Sequence, residues 1–401
     1  MEMNIRGVAD LPLHYGNVPR WLFKRMTELA SEILTIMGEE FGELKILERL
    51  SNPLWFQALS NVLGFDWHSS GSTTVLCGVL REAVHKTDLK MAVVGGKGRQ
   101  SLRTPIEIRS VAERFRLGED EAERLVKISR LAAKIDNAAI QDGFQIYHHT
   151  MIITGNGDWC IIQQGMNREI RMARRYHWLS EKIGRLVVEP HSAISSTVKM
   201  RNILNLAAEE SENARKMIVE IVNENPEKIR RDIYRLRRIL SGDRSILDWL
   251  IPKPVNIKFD LTYYRPLEEH KINWRRLHRN LSFNADCFEN LLLRRGVGPS
   301  TLRALSLISE LIYGEPPSKR DPVTHIYDPV KWSFTVGGKD GIPYPISKRH
   351  YDNVIYELEL IIDGIRRNEE AKRRAFKNLG LLSKKWNSIF EENRTFLDRF
   401  D

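Results

Sequence analysis

The chain has 401 residues, enough for two or three domains with a core each, and a hydrophobic share of 42% that argues against a disordered polypeptide. Its formal net charge of +10 points to an anionic partner, nucleic acid first. The three cysteines, Cys77, Cys160 and Cys287, lie far apart and form no C-x-x-C pair, so they suggest neither a zinc ribbon nor a disulfide framework. Met1 to Arg6 lack a signal-peptide core and no uninterrupted apolar run is long enough to span a bilayer, so a cytoplasmic protein with no membrane partner is expected.

The first predicted element is a helix over Trp21 to Met37, where Leu22, Met26, Leu29, Ile33 and Ile36 keep helical spacing after Pro19. The hydroxyl-rich stretch Asp66 to Thr74 reads as a loop that opens a helix at Thr73. Met91 to Val94 reads as a short strand closed by a Gly95-Gly96-Lys97-Gly98 loop. Helices follow over Pro105 to Phe115 and Glu119 to Asp136. The strongest local signal is a β-hairpin, Phe144 to Thr154 and Trp159 to Gln164, around the four-residue turn Gly155-Asn156-Gly157-Asp158. From Ser195 to Leu240 the chain is charged and helical, broken at Pro226. Ile229, Ile233, Leu236 and Leu240 form an apolar stripe there, beside Arg231, Arg235 and Arg238. Pro252 and Pro254 mark a linker. Beyond it come a Pro/Gly-rich loop from Glu315 to Pro345 and closing helices that carry Arg366, Arg367, Lys372, Arg373, Arg374, Lys384 and Lys385.

Residues 291 to 305 read as the end of an apolar-faced helix, a two-glycine turn, and a second helix opened by Pro299 and lined by Leu302, Leu305 and Ile308. Glycine lets a ligand approach the backbone, and a helix start led by proline leaves N–H donors that attract anions. Such a turn binds nucleic-acid phosphate without reading sequence. The candidate DNA contacts are Arg294, Arg295, Gly296, Val297, Gly298, Ser300, Thr301 and Arg303. An ordinary helical hairpin with a Gly-rich turn has the same spacing.

Candidate chemistry gathers in and after the hairpin. Phosphodiester hydrolysis needs a metal or an imidazole to activate water and neutralise charge. Asp142, His148, His149, Glu189 and His191 have the right side chains, with Asp142, His149 and Glu189 the candidate ligands of a divalent Mg or Mn ion. Strand alternation places Phe144, Ile146 and His148 on one face and Gln145, Tyr147 and His149 on the other. No H-E-x-x-H motif is present, and Gln163-Gln164 stand where a D…E-x-K nuclease would carry its acid and lysine. The Gly-Gly-Lys loops at Gly95 and Gly337 lack the P-loop spacing, so no nucleotide cofactor is expected. Asp321 follows the glycine turn by about the interval found in helix-hairpin-helix DNA glycosylases, which must also flip a base into an apolar pocket to which Tyr313, Tyr327 and Trp332 would contribute.

The words Gln141-Asp142-Gly143-Phe144, Tyr147-His148-His149, Gln163-Gln164-Gly165-Met166-Asn167, Glu189-Pro190-His191, Gly296-Val297-Gly298-Pro299 and Gly337-Gly338-Lys339-Asp340-Gly341 resemble a prokaryotic, largely archaeal family, a domain of unknown function numbered seven-six-three. The resemblance covers nearly the whole chain. It implies a DNA-associated protein with a helix-hairpin-helix element near its C-terminal end, and it carries a phosphate-binding role onto Gly296, Val297 and Gly298. It carries no catalytic role.

The expected fold class is α+β: a mixed α/β domain with a hairpin over residues 1–195, a charged helical connector over 196–265, and a helical DNA-binding domain over 266–401. The function expected first is a metal-dependent, structure-specific DNA nuclease of repair or recombination. It would act on branched, bubble or single-strand-containing DNA, with a protein partner in a repair complex. A non-catalytic DNA-binding or scaffold protein and a helix-hairpin-helix glycosylase are the alternatives, and an RNA target stays open because backbone contacts discriminate poorly between polymers.

Overall fold

The computed structural model describes residues 18–64, 70–196, 198–224 and 285–324, together with positions 227, 228, 231, 232, 234, 355 and 356. Outside the described residues lie Asp66 to Ser69, the stripe of Ile229, Ile233, Leu236 and Leu240, Arg235, Arg238, Pro252, Pro254, Tyr327, Trp332, the Gly337 loop and the basic C-terminal positions.

The first helix, α1 (Arg20–Leu50), buries Leu22, Met26 and Leu29 on the predicted stripe. It runs past Met37 and breaks direction at Gly42, where φ is 78°. The α2 helix (Pro53–Val62) is capped by Asn52, whose Oδ1 accepts from the N–H groups of Leu54 and Trp55. Next comes α3 (Ser70–Val84), which begins before Thr73. Strand β1 (Met91–Lys97) continues through Gly95 and Gly96, where the sequence suggested a loop. The reason is steric: a Cβ on Gly95 would meet the His149 carbonyl oxygen at 2.3 Å, and the residue has φ +85°. The expected helices form as α4 (Thr104–Phe115) and α5 (Glu119–Lys134), the latter prolonged by a π-helical turn over Ile135–Ala139.

The hairpin forms as expected, from β3 (Gln145–Thr154) and β4 (Trp159–Asn167). A short β2 (Ile140–Gln141) precedes it, and β5 (Met172–Leu179), β6 (His191–Ser195) and β7 (Leu204–Asn205) follow. After them come α6 (Glu212–Asn223), α7 (Phe288–Leu293) and α8 (Pro299–Leu311). The main sheet has the order β1-β3-β4-β5-β6 with every neighbour antiparallel, and β2 pairs with β7 in a separate two-stranded ribbon. The fold is thus a mixture of helix and antiparallel sheet containing the expected hairpin.

Strand alternation divides the sheet between two cores. Met91, Val93, Ile152, Cys160, Ile162 and Leu179 pack against α1, α2 and α3. Ala92, Val94, Met151, Ile153, Ile161 and Trp178 pack on the other side with α4, α5 and α6. Leu291, Leu292, Leu302, Leu305 and Ile308 of α7 and α8 belong to this second core, so the glycine turn between them is seated on the sheet's helical layer. The register of β3 shifts between Ile146 and His148. This bulge at Tyr147 overturns the simple alternation: Ile146 packs beside Tyr176 and Ile194, whereas Tyr147 joins Gln164 on the α1–α3 side. Among the described residues no helix is long and apolar enough to cross a membrane.

Candidate functional site

On the side of the sheet facing α5, polar side chains form one continuous chain through an otherwise apolar layer. Asp136, the second residue of the π-helical turn, is fully buried. Its Oδ2 accepts from the Gln163 amide and from Trp178 Nε1 at 3.0 Å, and its Oδ1 accepts from His191 Nε2 at 2.5 Å. The carboxylate only accepts, which orients Gln163 with its nitrogen inward and its Oε1 toward His149. His149 Nδ1 lies 2.9 Å from that oxygen and must donate to it. The His149 Nε2 therefore carries the lone pair and accepts from the Ser129 hydroxyl at 2.8 Å. Burial lowers the pKa of His149, against the pull of Gln163 and Asp136, and a neutral ring suits this pattern. The polarity of the whole series, Ser129 to His149 to Gln163 to Asp136, follows from one buried acid. The same acid fixes His191 as the Nε2–H tautomer, and Trp178 holds the ring edge-on with centroids 4.8 Å apart.

Below this chain lies a second buried cluster. Arg174, wholly buried, donates from Nη1 to Asp142 at 2.7 Å and from both terminal nitrogens to Asp321 at 3.0 and 2.8 Å. The Tyr176 hydroxyl adds a 2.6 Å bond to Asp142, and the Phe144 N–H another at 3.0 Å. Asp321 also accepts from the main-chain N–H groups of Met200 and Val323. Burial raises the Asp142 pKa, with Arg174, Tyr176 and Phe144 opposing. Burial also works against the charge on Arg174, which the two carboxylates and Tyr176 nevertheless hold above its ordinary value.

The five residues singled out in the sequence thus fall in different places. His149 and His191 share the Asp136 chain. Asp142 belongs to the Arg174 cluster, reached through Tyr176, whose ring lies 5.9 Å from that of His191. His148 faces the opposite core, where its Nε2 bonds Thr150 Oγ1 at 2.9 Å. Glu189 sits on the surface at φ 42°, half-exposed and paired with Arg320. Asp142, His149 and Glu189 are therefore not brought together, and both nitrogens of His149 are already engaged. Among the described residues no group of three or more His, Cys, Asp or Glu side chains could hold a metal ion. Asp321, the glycosylase candidate, accepts four hydrogen bonds and pairs with Arg174.

Sequence reasoning missed Asp136, Ser129, Arg174, Tyr176 and Trp178. A signal existed for some: Asp136 interrupts the run Ile135 to Ile140, and Arg174-Arg175-Tyr176-His177-Trp178 puts polar groups on both faces of a strand. Arg174, Tyr176 and Trp178 join the Asp142 and Asp136 clusters. Arg175, between them in sequence, bonds Thr73 and Gln57 on the other face.

The glycine turn is the second candidate site. α7 ends at Leu293, Arg294 is extended, and Gly296 takes φ 101°. Gly298 is extended, with nothing within 4 Å of where a Cβ would sit, and no side chain caps the start of α8. Among the described residues nothing demands glycine at 298, and its lack of a side chain leaves the backbone there open. Arg295 and Gly296 are exposed, and Arg294, Gly298 and Ser300 half-buried. Val297 is buried in the core, with its carbonyl accepting from Lys134. Thr301 is buried with its hydroxyl on the Gly296 carbonyl, and Arg303 donates twice to Gln141 Oε1, which makes both partly structural. Gln141 in turn donates to the Pro299 carbonyl at 2.9 Å, so the turn is braced from β2.

A family model described as "Protein of unknown function (DUF763)" matches residues 7–346, and the chain belongs to that family. Neither a curated protein nor a solved structure matches it.

Proposed function

We propose that this member of the DUF763 family is a DNA-binding protein, without catalysis of its own, that grips the phosphate backbone through the turn from Arg294 to Thr301. The observation that carries the reading is Gly298: among the described residues, an extended, uncapped helix entry with open space at its Cα, next to exposed Arg295 and Gly296. Main-chain donors at such an entry bind phosphate and position a duplex without reading bases. Non-catalytic binding is preferred to metal-dependent cleavage because Asp142, His149 and Glu189 point into separate surroundings. Branched, bubble and single-strand-containing DNA remain the preferred targets, in repair or recombination, with a partner protein supplying the chemistry.

The test is fluorescence anisotropy with labelled duplex, branched and bubble DNA over a salt series, beside a gel assay for cleavage with Mg²⁺ or Mn²⁺. Salt-sensitive binding that Gly298→Glu and Arg295→Ala weaken, with no cleaved product, is expected. Absence of binding at low salt, or binding untouched by Gly298→Glu, overturns it. Phosphodiester hydrolysis is the second reading, favoured by the buried carboxylate–imidazole pair Asp136–His191. It requires cleavage that His191→Ala abolishes.

A further inference from the structure

The α5 helix is divided by charge. Its first turn carries Glu119, Asp120 and Glu121, whereas its second half carries Lys127, Arg130 and Lys134. These three cations recur at steps of three and four residues, one per helical turn, so they line one face. Lys127 and Arg130 are exposed, and Lys134 is half-buried where its ammonium group reaches the Val297 carbonyl inside the glycine turn. Among the described residues, acids beside the strip are themselves paired. Glu123 is held by Arg109 at 2.5 and 3.1 Å, and Glu289 of α7 lies 4.0 Å from Lys127. The strip therefore runs directly into the turn and shares its surface.

We infer that Lys127, Arg130 and Lys134 form a second backbone-contact surface, continuous with the glycine turn, that takes the phosphates of duplex DNA; the inference rests on the DNA-binding reading above. The spacing fits that partner. From Lys127 to Lys134 the helix rises about 10 Å, and about 10 Å of duplex axis presents about three phosphates on one strand. Three cations, one per turn, meet three phosphates. The turn then supplies main-chain donors at one end of the footprint, and Lys134 joins the two parts by holding the turn while keeping two further N–H donors.

The experiment measures the slope of log affinity against log salt for the parent protein, for Lys127→Gln/Arg130→Gln together, for Gly298→Glu, and for Asp120→Asn as a control on the acidic half. The double variant is expected to lose about two of the slope units, at about 0.9 per phosphate contact, which between 50 and 200 mM salt is about a tenfold change in attenuation. Asp120→Asn should not lower the slope. If the parent binds and Gly298→Glu weakens it while the double variant keeps the parental slope and affinity, the α5 surface is refuted and the turn alone stands. If the parent binds no DNA, the functional reading itself fails. A slope change seen with single-stranded RNA and not with duplex DNA also overturns the assignment.

Discussion

His148 makes this protein acid-sensitive in a calculable way. The ring is buried under α1–α3 and bonds Thr150 through Nε2, while among the described residues its Nδ1 has no hydrogen-bond partner. Burial first, and then the neighbours His149, Arg175 and Lys97, lower its pKa from 6.5 to about 3. The folded protein therefore keeps His148 neutral at pH values where the unfolded chain takes up a proton. With more protons bound in the unfolded state, stability falls as pH drops below about 6.5, and the loss ends only near the folded pKa of about 3. At about 1.4 kcal/mol per pH unit, moving from pH 7 to pH 5 costs about 2 kcal/mol through this residue alone. His149, also lowered by burial, adds a loss of the same sign. Urea unfolding of the parent and of His148→Leu at pH 7 and pH 5 checks the argument. The variant should retain about 2 kcal/mol more of its pH 7 stability at pH 5 than the parent does. If parent and variant lose the same amount, His148 does not titrate as a buried neutral ring.

Three further outcomes follow from the same geometry. Arg174→Met strands Asp142 and Asp321 and should cost about 3–5 kcal/mol in urea unfolding; the triple variant with Asp142→Asn and Asp321→Asn should recover part of that, and no recovery would mean that charge is not the cause. Gly95→Ala should cost about 2 kcal/mol or more, because the residue sits at positive φ against the His149 carbonyl, whereas Gly184→Ala, with open space at its Cα, should leave the melting temperature nearly unchanged. In Asp136→Asn the new amide cannot accept from Gln163, Trp178 and His191 together, so His191 should move from the Nε2–H to the Nδ1–H tautomer. A ¹⁵N spectrum of the imidazoles reads this directly, and an unaltered His191 tautomer would contradict the assigned hydrogen-bond polarity.

Local pattern was enough for several elements. Helical spacing located α4 and α5, and the Gly155–Asp158 turn between β-rich runs located the hairpin. Leu302, Leu305 and Ile308 fell on the buried face of α8 as their spacing required. Strands β5 and β6 were not legible, because Arg174, Arg175, His177 and His191 look solvent-facing until partners from distant segments neutralise them. The Gly95–Gly96 pair reads as a loop by composition and becomes strand only because β3 passes close against it.

By itself the sequence determined the chain's basic character, its mixed helical and antiparallel make-up, the hairpin and the glycine turn, since each depends on residues close together along the chain. Tertiary structure alone decided which polar groups meet. Asp136 and His191 come from a helix end and a strand 55 residues apart, and the bulge at Tyr147 changes the face of Ile146. Glu189 leaves the site for Arg320. Strand pairing and the burial of charge are set by contacts between remote segments, and side-chain spacing along one segment carries no record of them.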